Sequence, residues 1–192
     1  MTAARWPGEK VSIALVHYPV YNKHNEVVAT SVTNLDIHDI ARAARTYGIR
    51  TYFLVTPVPG QRQLVERVTT HWRNGWGATY NPHRKAALGI ISIVDSLADA
   101  VEEIKSRTGV APKTVVTSAK DLSAGISYER LGRLLQESEE QFLLVFGTGW
   151  GLTEEVVASA DHALPPVRGK GDYNHLSVRS AVSIILDRLL GR

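Results

Sequence analysis

Leu143-Leu-Val-Phe-Gly-Thr-Gly-Trp-Gly-Leu152 joins an uninterrupted apolar run to glycines at 147, 149 and 151, and Thr153 then stands where a helix would be capped. A short apolar run stopped by glycine reads as a strand buried on both faces, and such strands belong to parallel sheets covered by helices. Glycine tolerates φ > 0 and lets backbone amides come close to a ligand. The same three glycines would equally serve a tight strand-to-helix turn that binds nothing. A dinucleotide-binding loop fits less well, because the spacing is G-x-G-x-G rather than G-x-G-x-x-G. The acidic partner of such a loop is expected about 20 residues on, whereas Asp161 comes too early and Asp172 falls in a loop.

The rest of the chain repeats the alternation. Apolar runs predict strands at 11–16, 51–55, 88–94, 113–117, 142–146 and 162–164. Helical periodicity predicts helices at 37–47, 61–73, 96–107, 128–137, 153–158 and 175–190. This is an α/β pattern: one domain over residues 1–192 with a mostly parallel sheet and helices on both faces. In the first helix Ile37, Ile40, Ala41, Ala44 and Tyr47 form an apolar stripe, and Asp36 and Asp39 sit in the first turn, where acids favour the helix dipole. In the last, Val178, Ala181, Val182, Ile185 and Leu189 share a face that Ile184 and Leu186 widen. A face that broad calls for more than one neighbour and points towards a homodimer.

Composition narrows the classes further. The chain has no cysteine, so disulfides and thiolate metal sites are excluded, and its seven histidines lack ligand spacing for zinc. No apolar run nears the ~20 residues of a membrane span, and the opening residues lack the apolar core of a secretory signal. The expectation is a cytoplasmic protein without metal or membrane partner. A formal net charge of +3 leans towards a polyanionic partner.

Three further stretches carry candidate chemistry. In Ala163-Leu-Pro-Pro-Val-Arg-Gly-Lys-Gly-Asp-Tyr-Asn-His175 a strand end meets a loop with Arg168 and Lys170, and Asn174 is suited by type to cap the last helix. His38, Arg42 and Arg45 share the polar face of the first helix. They could hold phosphate, or face water with Arg42 paired to Asp39 one turn earlier. His71-Trp-Arg-Asn-Gly-Trp-Gly-Ala-Thr-Tyr-Asn-Pro-His-Arg-Lys85 interleaves aromatic and basic residues, as surfaces for unpaired RNA do. Its alternative is that Trp72 and Trp76 pack inward together. His17, Tyr18, Tyr21, Asn22 and Lys23 follow the first strand, at the strand end where open α/β sheets place ligands.

Taken in order, the first helix, Phe146-Gly-Thr-Gly-Trp-Gly-Leu152, and Leu164-Pro-Pro-Val with Tyr173-Asn-His-Leu-Ser-Val-Arg-Ser180 resemble the three motifs of SPOUT RNA methyltransferases. Leu15-Val-His-Tyr-Pro-Val-Tyr-Asn-Lys23 is similar to the opening of a bacterial family of RNA methyltransferases related to, and sometimes fused with, the tRNA guanine-N1 enzymes. The resemblance spans about residues 28–190. It implies a C-terminal trefoil knot within about 113–192, a homodimer, S-adenosylmethionine as cofactor, and methyl transfer to a base or ribose of tRNA or rRNA.

Its implied cofactor residues are Thr117 and Ser118; Phe146, Gly147, Thr148, Gly149 and Gly151; and Leu164, Val167, Asn174, His175 and Leu176. Arg42 stands where the ribose methyltransferases of the class place an arginine, and would orient the acceptor. Asp172 or His17 would take the proton. His38, Arg45, Lys23, Arg73, Arg84, Lys85 and Arg168 would contact RNA. Where those enzymes carry a glutamate in the second motif this chain has Thr148-Gly149-Trp150, and His175 aligns with their third-motif asparagine, so the acceptor atom is left open. Two other readings stand beside the enzyme: a SPOUT fold that binds without turnover, and a Rossmann-like oxidoreductase.

Overall fold

The structure is a computed structural model that describes residues 7–122 and 125–191. After a 3₁₀ turn, β1 (Val11–Val16) leads into a short hairpin of β2 (Val20–Tyr21) and β3 (Val27–Val28). Then follow α1 (Asn34–Thr46), β4 (Thr51–Val55), α2 (Pro59–Arg73), α3 (Trp76–Tyr80), α4 (Pro82–Leu88) and β5 (Ile91–Val94). The second half runs α5 (Leu97–Thr108), β6 (Lys113–Val116), α6 (Tyr128–Glu137), β7 (Phe142–Gly147), α7 (Glu154–Ala158), β8 (His162–Ala163) and α8 (Val178–Leu190).

Six strands form one sheet in the order β5-β4-β1-β7-β6-β8, every neighbouring pair parallel. The chain moves outward from β1 to β5, crosses back to β6, and moves inward to β7. The order therefore reverses between β1 and β7, whose C-terminal ends are where such a sheet takes ligands.

Period-2 alternation divides the core into two clusters. Ile13, Leu15, Tyr52, Leu54, Leu144 and Phe146 face α1, α2, α4, α6 and α8, while Ala14, Val16, Phe53, Val55, Leu143 and Val145 face α5 and α7. The predicted parallel α/β sheet with helices on both faces is what forms.

Three local expectations are corrected. Residues 88–94 are not one strand: α4 runs through Leu88, with Gly89 at its C-cap, and β5 starts at Ile91. The last helix starts at Val178 rather than 175, with Ser177 as N-cap accepting from Ser180 N, so Asn174 is not the cap. The apolar face of α8 is largely satisfied within the chain, where Val182, Ile185, Leu186 and Leu189 are buried in the cluster shared with α1 and α6. That face therefore supplies no reason for a second subunit.

Candidate cofactor and RNA site

The turn after β7 is built by close approach. Gly149 has φ +59, and a Cβ there would lie 2.8 Å from the Tyr21 carbonyl oxygen. The hairpin docks on this turn through backbone bonds, with Tyr21 N–H donating to Gly151 O and Trp150 N–H to Tyr21 O, both at 2.9 Å. At Gly147 a Cβ would meet Leu152 N at 2.8 Å, whereas the space beside Gly151, at φ +108, is open. The hairpin thus occupies the crevice on the β1 side of the turn. A ligand approaching this turn is directed to the side of β6 and β8.

Beneath the turn lies a buried polar relay. His17 is 0% exposed, and its Nδ1 lies 3.1 Å from Thr30 Oγ1. Thr30 Oγ1 bonds Thr148 Oγ1, and Thr148 donates to Val16 O at 2.9 Å. A consistent assignment has His17 neutral with its proton on Nδ1, each hydroxyl accepting one bond and donating the next. His17 Nε2 is then a buried acceptor without a partner. Burial lowers the His17 pKa to about 4, against an opposing influence of Asp36 and a bond to the Thr30 backbone. Thr148 turns its hydroxyl inward, so its side chain does not face the outside of the turn.

On the far side, two loops are fastened together. Asn174 Nδ2 donates to Ala119 O at 2.8 Å, and Arg168 Nη2 lies 2.5 Å from Asp121 Oδ2. Thr117 donates from N and Oγ1 to Val145 O, and Ser118 Oγ accepts from Lys120 N. Leu164 and Phe146 are buried in the core, so they offer the site backbone groups alone; Val167 is half-buried. Leu176 (46%), Trp150 (62%) and Tyr173 (79%) are exposed apolar side chains around these loops, Tyr173 lying edge-on to His175. Asp172 is exposed in the same loop. Loops rich in backbone groups with uncovered apolar side chains suit an adenosine-bearing cofactor, whose ring needs apolar walls and edge hydrogen bonds.

The first helix is tied to the last by Arg179, 3.3 Å from Asp36 Oδ1 and 3.4 Å from Asp39 Oδ2. Asp36 also completes a capping box with Thr33. Because Asp39 faces Arg179, the Asp39–Arg42 pair does not form. Among the described residues Arg42 has no ion pair, and it lies with Arg45 on an exposed surface that Arg84 and His83 of α4 share. His38 is half-buried, with Nδ1 unpartnered and its ring edge-on to Trp72; burial first, and Arg84 next, lower its pKa. Arg73 donates to Gly89 O, Lys85 is exposed, and Lys23 is exposed on the hairpin turn, apart from α1 and α4.

The structure therefore gathers most of the predicted residues into two groups, the loops at β6, β7 and β8 and a basic surface of α1 and α4; His17 is buried in the relay, and Lys23 and Arg73 lie outside both. Sequence reading saw Asp36 only as a first-turn acid and missed its tie to Arg179, and it missed Thr30. Asp36 had the weak signal of a Thr-x-x-Asp capping box; Thr30 had none.

Residues 10–191 match a family of SAM-dependent RNA methyltransferases. A tRNA (guanine-N(1)-)-methyltransferase of Nitratidesulfovibrio vulgaris is 49% identical over 185 residues, which are 96% of this chain and 43% of that protein. The chain thus spans less than half the length of that relative. An uncharacterized protein of Aquifex aeolicus is 39% identical over 184 residues, covering 96% of this chain and 90% of its own. Among solved structures, a methylase family protein of Neisseria gonorrhoeae superposes with a TM-score of 0.64 at 19% identity, covering 100% of this chain and 86% of its own. The TrmH/SpoU tRNA modifying enzyme of A. aeolicus does so at 0.54 and 16%, covering 95% and 74%. These structures share the fold, and the relatives named above are methyltransferases or methylases, a tRNA modifying enzyme, or uncharacterized, rather than oxidoreductases. With agreement over almost its whole length, the chain belongs to the family of SAM-dependent RNA methyltransferases.

Proposed function

We propose that this chain methylates tRNA, on a base or a ribose, with S-adenosylmethionine held by the loops after β6, β7 and β8. The observation that carries this reading is the fastening of those loops around open backbone and exposed apolar side chains, through Asn174–Ala119 and Arg168–Asp121. The cofactor supplies a methyl group on a sulfonium centre. The chain must seat the acceptor in line with it and take up one proton. Leu176 and Val167 wall the adenine, and backbone groups of the 164–176 loop meet its polar edge. Arg42, without an ion pair among the described residues, orients the acceptor or its phosphate, and Asp172 in the cofactor loop accepts the proton.

A trefoil knot is part of the proposal. Leu164 N–H bonds Val116 O at 2.9 Å and Ile126 N–H bonds Ala163 O at 2.8 Å. The end of β8 is thus bonded on one side to Val116 and on the other to Ile126, and this pairing supports the knot reading. A homodimer is also proposed, through exposed Leu35, next to Asp36 of the Arg179 clamp, rather than through the covered face of α8. A cytoplasmic setting, with access to tRNA, belongs to the same reading.

One observation favours a second reading, binding without turnover: the Thr148 hydroxyl is consumed by the buried relay, leaving the glycine turn without an outward polar side chain. Calorimetric titration with S-adenosylhomocysteine, followed by tritium transfer to unmodified tRNA and rRNA, divides the two. Binding with transfer to tRNA supports the proposal. Binding without transfer to any RNA selects the silent module, and absence of binding removes the cofactor site.

A further inference from the structure

Trp76 and Tyr80 of α3 stack on one another, ring centroids 4.8 Å apart at 20°, yet they are 70% and 69% exposed. Two aromatic rings presented to water are a costly arrangement to maintain, and the surroundings hold them in place. At Gly77 a Cβ would lie 2.7 Å from the Trp72 ring, so α3 is pressed directly on Trp72. The Arg84 guanidinium covers Trp72 at 4.5 Å, and His38 and His71 meet its edges. The two tryptophans of this stretch thus part company: Trp72 packs against the core, and Trp76 faces out.

Tyr80 is followed by Asn81, which caps α4 and lines a cavity of about 500 Å³ between α1 and α4. Arg42, Arg45, His83 and Arg84 line the same cavity, and among the described residues no carboxylate does.

We infer that the Trp76–Tyr80 pair is a stacking platform for an unpaired base of RNA, with the neighbouring phosphate held in the arginine cavity. Charge and shape favour this occupant. Aromatic faces accept any unpaired base, guanidinium groups attract phosphate, and a cavity free of acids would repel neither. Duplex RNA keeps its bases stacked internally and cannot use the rings. The inference rests on the RNA methyltransferase reading and gives it a substrate feature: a single-stranded loop or end beside the methylated nucleotide.

The test is fluorescence anisotropy with a labelled twelve-residue oligouridine and with a duplex of equal length, using the full chain. Trp76→Ala/Tyr80→Ala should weaken oligouridine binding at least about fivefold, the lower end for loss of one stacked base, and leave duplex binding within about twofold. Trp76→Phe/Tyr80→Phe should recover most of the affinity. Absence of oligouridine binding by the parent, unchanged binding in the Ala variant, or equal losses on single strand and duplex would each overturn the inference.

Photocrosslinking of 4-thiouridine RNA to the unaltered protein avoids any folding defect: adducts belong on Trp76 or Tyr80, and adducts only elsewhere refute the platform. A change of oligomeric state in the Ala variant, by light scattering, would instead make the pair a subunit contact and overturn it. Titration with S-adenosylhomocysteine separates the two readings. A parent that binds no cofactor but loses RNA affinity on ring removal defeats the enzyme reading and keeps the platform.

Discussion

Acid should weaken this fold through His17 before it reaches most carboxylates. The imidazole is 0% exposed, and burial holds its pKa at about 4, against 6.5 for an ordinary histidine. An unfolded chain therefore takes up a proton as pH falls through 6.5, while the folded chain resists until about 4. The stability that the neutral ring confers is fully present above about pH 6.5 and is lost progressively as pH falls to about 4. A difference of about 2.5 pKa units at about 1.36 kcal/mol each gives roughly 3 kcal/mol. That is a large part of the 5–15 kcal/mol typical of a domain.

Urea unfolding followed by circular dichroism at pH 7, 6, 5 and 4 measures it, with His17→Asn as comparison. Asparagine places an amide N–H near the position of Nδ1, so the bond to Thr30 has a replacement that does not titrate. The variant starts less stable because ring volume is lost, but its pH slope should be shallower by about 3 kcal/mol across the window. Equal slopes for parent and variant would refute both the low pKa and the relay built on it. A ring that stays neutral across this range holds the Thr30–Thr148 relay in place, and a pH–rate profile above pH 6 should carry no inflection from it.

Three further outcomes are expected. Gly149→Ala combines positive φ with a clash against Tyr21 O; it should cost about 1–2 kcal/mol in thermal unfolding and weaken S-adenosylhomocysteine, whereas a parental melting temperature would place the turn wrongly. Arg179→Ala strips the cation from nearly buried Asp36 and should cost about 1–3 kcal/mol, discounted because Arg179 is 30% exposed; Arg179→Lys should restore part of it in urea titrations. Arg42→Ala touches no internal ion pair, so stability should change by less than about 0.5 kcal/mol, cofactor affinity by less than twofold, and methyl transfer should fall at least about tenfold; transfer at the parental rate would make α1 a scaffold only.

Strands buried on both faces were legible because their apolar runs are unbroken, and α1 because its stripe and Asp36 agree. The hairpin was not, since two-residue strands leave no period to read. Its turn rests on Asn22 bonding the His24 and Glu26 amides and on Asn25 at φ 60. The start of α4 had a signal that the apolar run 88–94 overrode: Asn81 caps by accepting from Arg84 N, with Pro82 in the first turn. For the site, the glycines located the turn, but their cause was a hairpin more than a hundred residues away. The Asn174–Ala119 and Arg168–Asp121 ties join loops 55 and 47 residues apart. Local patterns cannot report them.

The two margins of the sheet bear on solubility during folding. An open strand edge is a template on which another chain can add a strand. At one margin β8 is only two residues long, and Ile126 N–H already occupies its Ala163 carbonyl. At the other, β5 offers four residues, fringed by Arg62, Arg73 and Arg107 on the neighbouring surface. A chain approaching in register at β5 would have to pass these long side chains and the ion pairs Arg62–Asp95 and Arg107–Glu103, so aggregation by strand addition is discouraged by length at one end and by charged side chains at the other.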